Sequence, residues 1–322
     1  MKPRISVIIP YYNRPEKLLR ALKSVYKQTR QPDTVIVVDD ASEILPMGLD
    51  AFPKVRLVHL QQNSGPGAAR NKGLEESTGD FVAFLDCDDY WHPDFLDKLE
   101  KRLIEAPDLV MSYAITQRVH AGVNTAVRDI VKSNTCNILP EIFIDRRPWD
   151  TSGCLWNRNK ISGVKWPETH CWEDYAFDVR CAVKANKVGK VPLPLLYYEV
   201  EGEDKLSNSQ SIYTEIEKVK SLLDIDEVIS NSEFTKNLFL RNKIESMLLS
   251  ALRKMIENRE TKMAESLLKN LEKYRGRSWV SFTKRMLSIS VFLTLKIVNR
   301  AKYKVQEEIS NSNPLQTETV TQ

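Results

Sequence analysis

The segment Asp86-Cys87-Asp88-Asp89 places three carboxylates within four positions, directly after the apolar run Phe81-Val82-Ala83-Phe84-Leu85. Carboxylates that follow a buried strand are pinned by a rigid scaffold, and they are hard oxygen ligands of the kind Mg2+ and Mn2+ take. A metal held there could bridge a pyrophosphate; the competing reading is a solvated turn whose acidic residues cap a helix. A second acidic pair, Asp39-Asp40, ends the run Thr34-Val35-Ile36-Val37-Val38, and a third, Glu173-Asp174, opens a helical pattern that continues to Ala185. Acids at a helix start also complement its dipole, so this pair serves either chemistry or capping.

Positioning these clusters falls to an alternation of strands and helices. Ile5-Ser6-Val7-Ile8-Ile9-Pro10 is a β-branched run, and Pro15 to Gln28 carries apolar residues at Leu18, Leu19, Leu22 and Val25; strand, loop and helix are predicted. Thr34 to Val38 is too uniformly apolar for a half-exposed strand and suits a parallel sheet covered on both faces. Val55 to Leu60 leads through Asn63-Ser64-Gly65-Pro66-Gly67 into a helix pattern over Ala68 to Ser77, and Phe81 to Leu85 is the fourth strand. Four such strands with helical crossovers predict an α/β, doubly wound, mostly parallel sheet, which binds ligands at the carboxyl ends of its strands. The polar clusters fall at those ends.

Further on, 95–106 reads as a helix and Leu109 to Thr116 as a strand. Residues 115–170 read as loop-rich, and Val191 to Tyr198 as a short edge strand because of Pro192 and Pro194. From Tyr213 to Tyr274 the chain has helical spacing without Gly or Pro, which predicts a C-terminal helical appendage. The expected organisation is a catalytic domain over 1–212, divided near 114, a helical region over 213–309, and a polar tail over 310–322.

Composition narrows the classes. With 322 residues, 42% apolar and 28% charged, the chain is an ordinary folded protein, and 47 basic against 43 acidic residues argue against nucleic acid as the main partner. Five cysteines, widely spaced and never in a C-x-x-C pair, suggest neither a disulfide framework nor a zinc ribbon and fit a reducing cytoplasm. Met1-Lys2-Pro3-Arg4 runs directly into a short apolar stretch, so no signal peptide is expected, and no uncharged run reaches the roughly 18 residues a spanning helix needs.

Five motifs in order carry a family resemblance: Val7-Ile8-Ile9-Pro10-Tyr11-Tyr12-Asn13-Arg14, Val38-Asp39-Asp40-Ala41-Ser42, Asn63-x-Gly65-x-x-x-Ala69-Arg70-Asn71, Gly79-Asp80, and Leu85-Asp86-Cys87-Asp88-Asp89. Together they resemble the family 2 glycosyltransferases of the GT-A fold, over about residues 4–205. The resemblance implies a nucleotide-sugar donor, with UDP favoured by family habit. Pro10 and Tyr12, with Arg14 in the same motif, resemble the residues that frame the nucleotide base. Asp39 and Asp40 resemble the acidic pair that bonds base or ribose, and Arg70 the arginine that helps hold the nucleotide. Asp86-x-Asp88 resembles the D-x-D motif, one carboxylate contacting ribose or sugar and another holding Mn2+ or Mg2+ on the diphosphate; Asp88 is the favoured metal ligand, with Asp89 beside it. Trp172-Glu173-Asp174 resembles the E-D motif, which makes Asp174 the general base of an inverting transfer.

The chain lacks the Q-x-x-R-W motif and membrane spans of processive synthases, so transfer of one sugar, or very few, to a glycan or lipid-linked glycan is expected in surface polysaccharide assembly. Glu199 stands where many relatives have an arginine after the tyrosines, which puts a lid role for 197–207 in doubt. Trp149, Trp156, Trp166 and Trp172 crowd the acceptor half, for sugar stacking or for core packing. His92 reads as a surface residue more readily than as a metal or phosphate contact. Residues 279–304 carry fourteen apolar residues among Lys284, Arg285, Lys296, Arg300, Lys302 and Lys304 and no acid; this suits either a basic amphipathic helix on the inner face of the cytoplasmic membrane or a helix packed on the catalytic domain. Two rivals stand beside the transferase: a non-catalytic nucleotide-sugar-binding scaffold, disfavoured by intact Asp86, Asp88 and Asp174, and a sugar nucleotidyltransferase, which would normally show a Gly-rich basic loop where this chain has Tyr11-Tyr12-Asn13-Arg14. A dehydrogenase is rejected because the glycines of Asn63 to Asn71 follow the third strand and lack G-x-G-x-x-G spacing.

Overall fold

The structure, a computed structural model, describes residues 2–131, 133–200 and 211–275. The membrane-facing expectation for 279–304, the tail from 310 and most of the 197–207 segment lie outside the described residues.

The first four strands are β1 (Ile5–Tyr11), β2 (Thr34–Asp39), β3 (Val55–His59) and β4 (Phe81–Phe84). All four are parallel, in the order β3-β2-β1-β4. Every residue of β1 and β4 is buried, the pattern of strands covered on both faces. Between them run α1 (Pro15–Tyr26) and α2 (Gly65–Glu76). In α1, Pro15 at the first helical turn costs no hydrogen bond, and Leu18, Ala21, Leu22 and Val25 form the buried stripe. α2 has no comparable apolar stripe; it lies close on β1 because Gly73 has no side chain, a Cβ there standing 2.3 Å from Ile8 Cγ2. The chain leaves β1 towards β2 on one side and pairs it with β4 on the other. This is a topological switch point, where the strand ends splay into a ligand crevice.

Beyond β4 the sheet continues as β9 (Cys154–Asn157), β6 (Met111–His120), β10 (Lys187–Glu199) and β5 (Asp89–Trp91). β9 is antiparallel to both neighbours, β6 and β10 are parallel, and β5 is antiparallel to β10. Strands β7 (Val123–Arg128) and β8 (Thr135–Asn137) flank β6 and β10. The stretch 115–170 is therefore more regular than expected: it holds the second half of β6, β7, β8, a one-turn α4 (Glu141–Ile144) and β9. β10 is thirteen residues long and internal, not a short edge; Pro192 and Pro194 are accommodated where its register against β6 shifts. α3 (Phe95–Glu105) covers this half of the sheet.

α5 (Glu173–Lys184) packs against α6 (Ile212–Ser230), which packs against α7 (Leu238–Glu257). These helices belong to one compact unit with the sheet, residues 1–263; in the second unit, from 264, the described residues 264–275 are helical. Among the described residues no helix is long and apolar enough to cross a membrane. Trp149, Trp156 and Trp166 are core residues, Trp166 stacking on Phe177 with centroids 4.0 Å apart.

Candidate active site

A cavity of about 860 Å3 opens at the carboxyl ends of β1, β2 and β4. It gathers Pro10, Tyr12, Arg14, Asp40, Arg70, Asp86, Asp88 and Asp89 on one side and Glu173 and Asp174 on the other. Asp39 does not line it. Its carboxylate turns inward, accepting the Ser42 N–H at 3.1 Å and pairing with His59 Nδ1 at 2.9 Å.

Asp40 is also committed within the protein. Its two oxygens accept the N–H groups of Ser64 and Gly65, both at 2.8 Å, at the start of α2. These amides have no partner inside the helix, so the carboxylate of one strand end caps the helix that follows the next strand. Burial pushes the Asp40 carboxyl above its ordinary value, against the pull of those two amides. Gly65 takes φ +87°, and a Cβ on it would stand 2.7 Å from the His170 ring; both the backbone and the close approach require glycine.

Arg70 joins the two acidic walls. It is buried, donates to Asp86 Oδ1 at 2.6 Å and to Glu173 Oε1 at 3.3 Å, and lies 4.4 Å over the Trp166 ring. The next residue, Asn71, clamps both backbone groups of Trp166, accepting its N–H at 2.8 Å and donating to its carbonyl at 3.0 Å. The Ala69-Arg70-Asn71 stretch thus fastens α2 to the loop that delivers α5. Burial, and then Asp174 beside it, push the Glu173 carboxyl up to about 7, with Arg70 pulling the other way.

Asp88 Oδ2 faces Arg14 NH1 at 3.4 Å, and its carbonyl accepts from Arg20 NH2 at 2.6 Å. Arg20 also pairs with Glu199 and lies 4.8 Å over Tyr90. Glu199 thereby helps to hold the acidic loop from α1. Tyr198 pairs in register with Asp89 and lines the cavity. Asp89 is buried, its Oδ1 has no hydrogen-bond partner, and burial followed by Asp88 and Asp86 holds its carboxyl well above the usual carboxylate range. Among the described residues no three His, Cys, Asp or Glu side chains already converge on one point. An ion of the Mg2+ type does not need that: it takes one or two protein carboxylates and completes its shell with substrate phosphates and water. Asp88, with Asp86 or Asp89 beside it, fits such an ion by donor chemistry.

On the opposite wall, Trp172 precedes α5 with φ +61°. A bulky residue in the left-handed region is strained, and such strain concentrates at working sites. It aims Glu173 and Asp174 into the cavity from the first turn of α5. Asp174 Oδ2 is held by Arg147 NH1, and Arg147 Nε reaches Asp178 Oδ2 at 2.8 Å. Burial works against the Arg147 charge, but Asp174 and Asp178 more than compensate and hold the guanidinium well above its ordinary value. His170, Cys171 and Lys218 complete the wall. The 169–171 loop is held by α6: Glu217 accepts the His170 N–H at 3.0 Å, and Ser221 donates to the Cys171 carbonyl at 2.6 Å. The sequence carries no signal for Arg147, His170 and Lys218, since none falls in a motif, and takes in Tyr198 only as part of the 197–207 segment whose lid role is in doubt. His92 lies outside the cavity.

A family model described as glycosyl transferase family 2 matches residues 6–159. The uncharacterized glycosyltransferase YwdF of Bacillus subtilis is 30% identical over 204 residues, covering 61% of this chain and 74% of that protein. TuaG of the same organism, a putative teichuronic acid biosynthesis glycosyltransferase, is 41% identical over 107 residues, but the match spans 32% of this chain and 41% of TuaG. Among solved structures, residues 1–349 of Staphylococcus aureus TarS in complex with UDP-GlcNAc superpose with a TM-score of 0.66 at 20% identity, covering 84% of this chain and 81% of that one; at this identity the likeness shows the fold. With motifs, relatives and architecture in agreement, this chain belongs to the family 2 glycosyltransferases, transferases of the GT-A fold.

Proposed function

We propose that this enzyme moves a single sugar from a nucleotide-sugar, a UDP-sugar by preference, to a glycan or lipid-linked glycan acceptor, with inversion and with help from Mn2+ or Mg2+. The observation that carries this reading is the opposition, in one cavity, of Asp86 and Asp88 at the end of β4 to Asp174 at the start of α5. In this reading Pro10, Tyr12 and Arg14 line the nucleotide end. Asp40 acts chiefly by shaping the α2 terminus against which the donor lies, and Asp39 by shaping the loop behind it. Asp88, with Asp86 and Asp89 beside it, would hold the metal, which when bound neutralises charge on the diphosphate.

Asp174 then accepts the proton of the acceptor hydroxyl as that oxygen bonds to the anomeric carbon; the carbon–oxygen bond to the diphosphate breaks, and its electron pair leaves with the phosphate oxygen. A single displacement inverts the configuration and requires no covalent sugar–enzyme intermediate. The five cysteines are free, and burial pushes Cys87, the one at the acidic loop, up to about 12, which removes it as a thiolate nucleophile at neutral pH. Partition of the fold near residue 114 into donor and acceptor halves, cytoplasmic placement and a role in surface polysaccharide assembly, the last suggested by the teichuronic acid assignment of TuaG, belong to the same proposal.

The test is nucleoside diphosphate release from a panel of nucleotide-sugars with and without Mn2+. The expected result is metal-dependent release from one donor, lost in Asp88→Ala, while Asp174→Asn binds that donor without transfer. Unchanged turnover in Asp174→Asn would remove the base assignment. Binding without release, with acceptors supplied, would favour the scaffold rival.

A further inference from the structure

Asp174 does not stand alone in its wall. Arg147 lies between it and Asp178, one helical turn further along α5, and the structure fixes this arginine by both its side chain and its backbone. Its side chain is buried; NH1 meets Asp174 Oδ2 and Nε meets Asp178 Oδ2 at 2.8 Å. Its backbone N–H donates to Tyr175 Oη at 3.1 Å, and its carbonyl accepts from Arg128, which is itself held by Asp150 at 2.6 Å. Asp178 is fully buried, and its Oδ2 also takes the indole N–H of Trp149 at 2.8 Å, while its Oδ1 has no partner.

Two carboxylates share this one guanidinium, and burial raises the Asp178 carboxyl above its ordinary value against the pull of Arg147. Spacing on α5 makes this work, because residues four apart in a helix share a face.

We propose that Arg147 and Asp178 are positioning residues for Asp174: Arg147 fixes its carboxylate in place, and Asp178, one turn along α5, anchors Arg147. This rests on Asp174 being the base. The other titratable or charged groups around this trio are Glu173 and Tyr175 from α5, Asp150 from the segment entering β9, Cys154 at the start of β9, Arg70 from α2 through Glu173, and Lys218 from α6 on the cavity wall. Asp150 is already engaged by Arg128 and Thr116, Glu173 by Arg70, and burial raises the Cys154 thiol well above its ordinary range. Arg147 and Asp178 are therefore the groups whose removal should act on Asp174 in opposite senses.

The experiment is the pH profile of kcat/KM for sugar transfer in the full chain, with donor affinity measured alongside. A cation beside a carboxylate favours its charged form and a second carboxylate disfavours it. In Arg147→Gln the acid limb should move to higher pH, and in Asp178→Asn to lower pH, each by on the order of one unit. Both should lower kcat at the optimum, Arg147→Gln by about a hundredfold through lost orientation, with donor affinity unchanged because neither residue touches the donor half. Arg147→Lys, which keeps the charge but cannot span both carboxylates, should recover the wild-type limb more than the rate. Limbs that stay put, or move together, in folded variants would overturn the proposal. Should Arg147→Gln not fold, Asp178→Asn decides by itself: an unmoved limb overturns it. Transfer that survives in Asp174→Asn would instead remove the base reading, and that outcome is separate from either result above.

Discussion

Asp40 offers the sharpest test of how this site is built. Family resemblance makes it a nucleotide contact, whereas the structure has both its oxygens occupied by the N–H groups of Ser64 and Gly65. In Asp40→Ala those two donors lose their acceptor. The Gly65 bond is buried and the Ser64 bond partly so, and orphaning a buried donor costs about 1–3 kcal/mol; together the start of α2 should loosen by about 3 kcal/mol, or about a hundredfold in its opening equilibrium. Hydrogen exchange over a peptide spanning 62–70, read by mass spectrometry, reports that opening directly. Asp40→Asn keeps one acceptor oxygen and should show about a tenfold loss of protection. There is a pH signature as well. Burial raises the Asp40 carboxyl above its ordinary 3.8, so the folded state binds its proton at higher pH than the unfolded chain does, and the stability Asp40 contributes falls as pH rises through that interval. The deficit of Asp40→Ala should therefore be largest below the interval and narrow above it. Unchanged protection in Asp40→Ala, with donor binding lost, would refute the capping argument and return Asp40 to the nucleotide.

Other consequences are direct. Gly73→Ala drives a methyl to 2.3 Å from Ile8 and should cost about 1–3 kcal/mol by forcing α2 off β1, seen as a lower midpoint in urea unfolding. Because burial and Asp174 push Glu173 up to about 7, wild-type stability should fall as pH rises from about 4.5 to about 7, and Glu173→Gln should flatten that slope in a series of melting temperatures. Cys87, buried and pushed up to about 12, should stay unmodified by iodoacetamide at pH 8 in the folded protein, as read by peptide mass mapping. Arg20→Ala should loosen the acidic loop, since it removes the bond to the Asp88 carbonyl at 2.6 Å; a weaker apparent affinity for Mn2+ in the release assay is the expected readout, and an unchanged one would mean the loop is held from elsewhere.

The first half of the fold was legible in the sequence because its signals are local. Uniform β-branched runs mark strands buried on both faces, the acidic clusters mark where each strand ends, and strand–helix alternation permits few parallel topologies. Asp86 and Asp88 were legible for the same reason, since they follow a buried strand of that sheet, whereas Asp174, which opens α5, was named from the family pattern. Asp86, Asp88 and Asp174 could thus be named from type, spacing and family pattern, and the structure gathers them in one cavity. Tertiary structure alone decided the rest. Nothing local distinguishes Asp39, which turns away to Ser42 and His59, from Asp40, which caps a helix two elements later. The prolines of β10 suggested an edge because they lack an N–H, yet a register shift gave them an interior place. Arg147 could not be found at all: a buried arginine is defined by the carboxylates 27 and 31 residues away that neutralise it, and that meeting depends on how α5 is set against the segment entering β9. Hydrophobic periodicity is a property of neighbours along the chain, whereas charge compensation is a property of neighbours in space, and only folding brings the second set together.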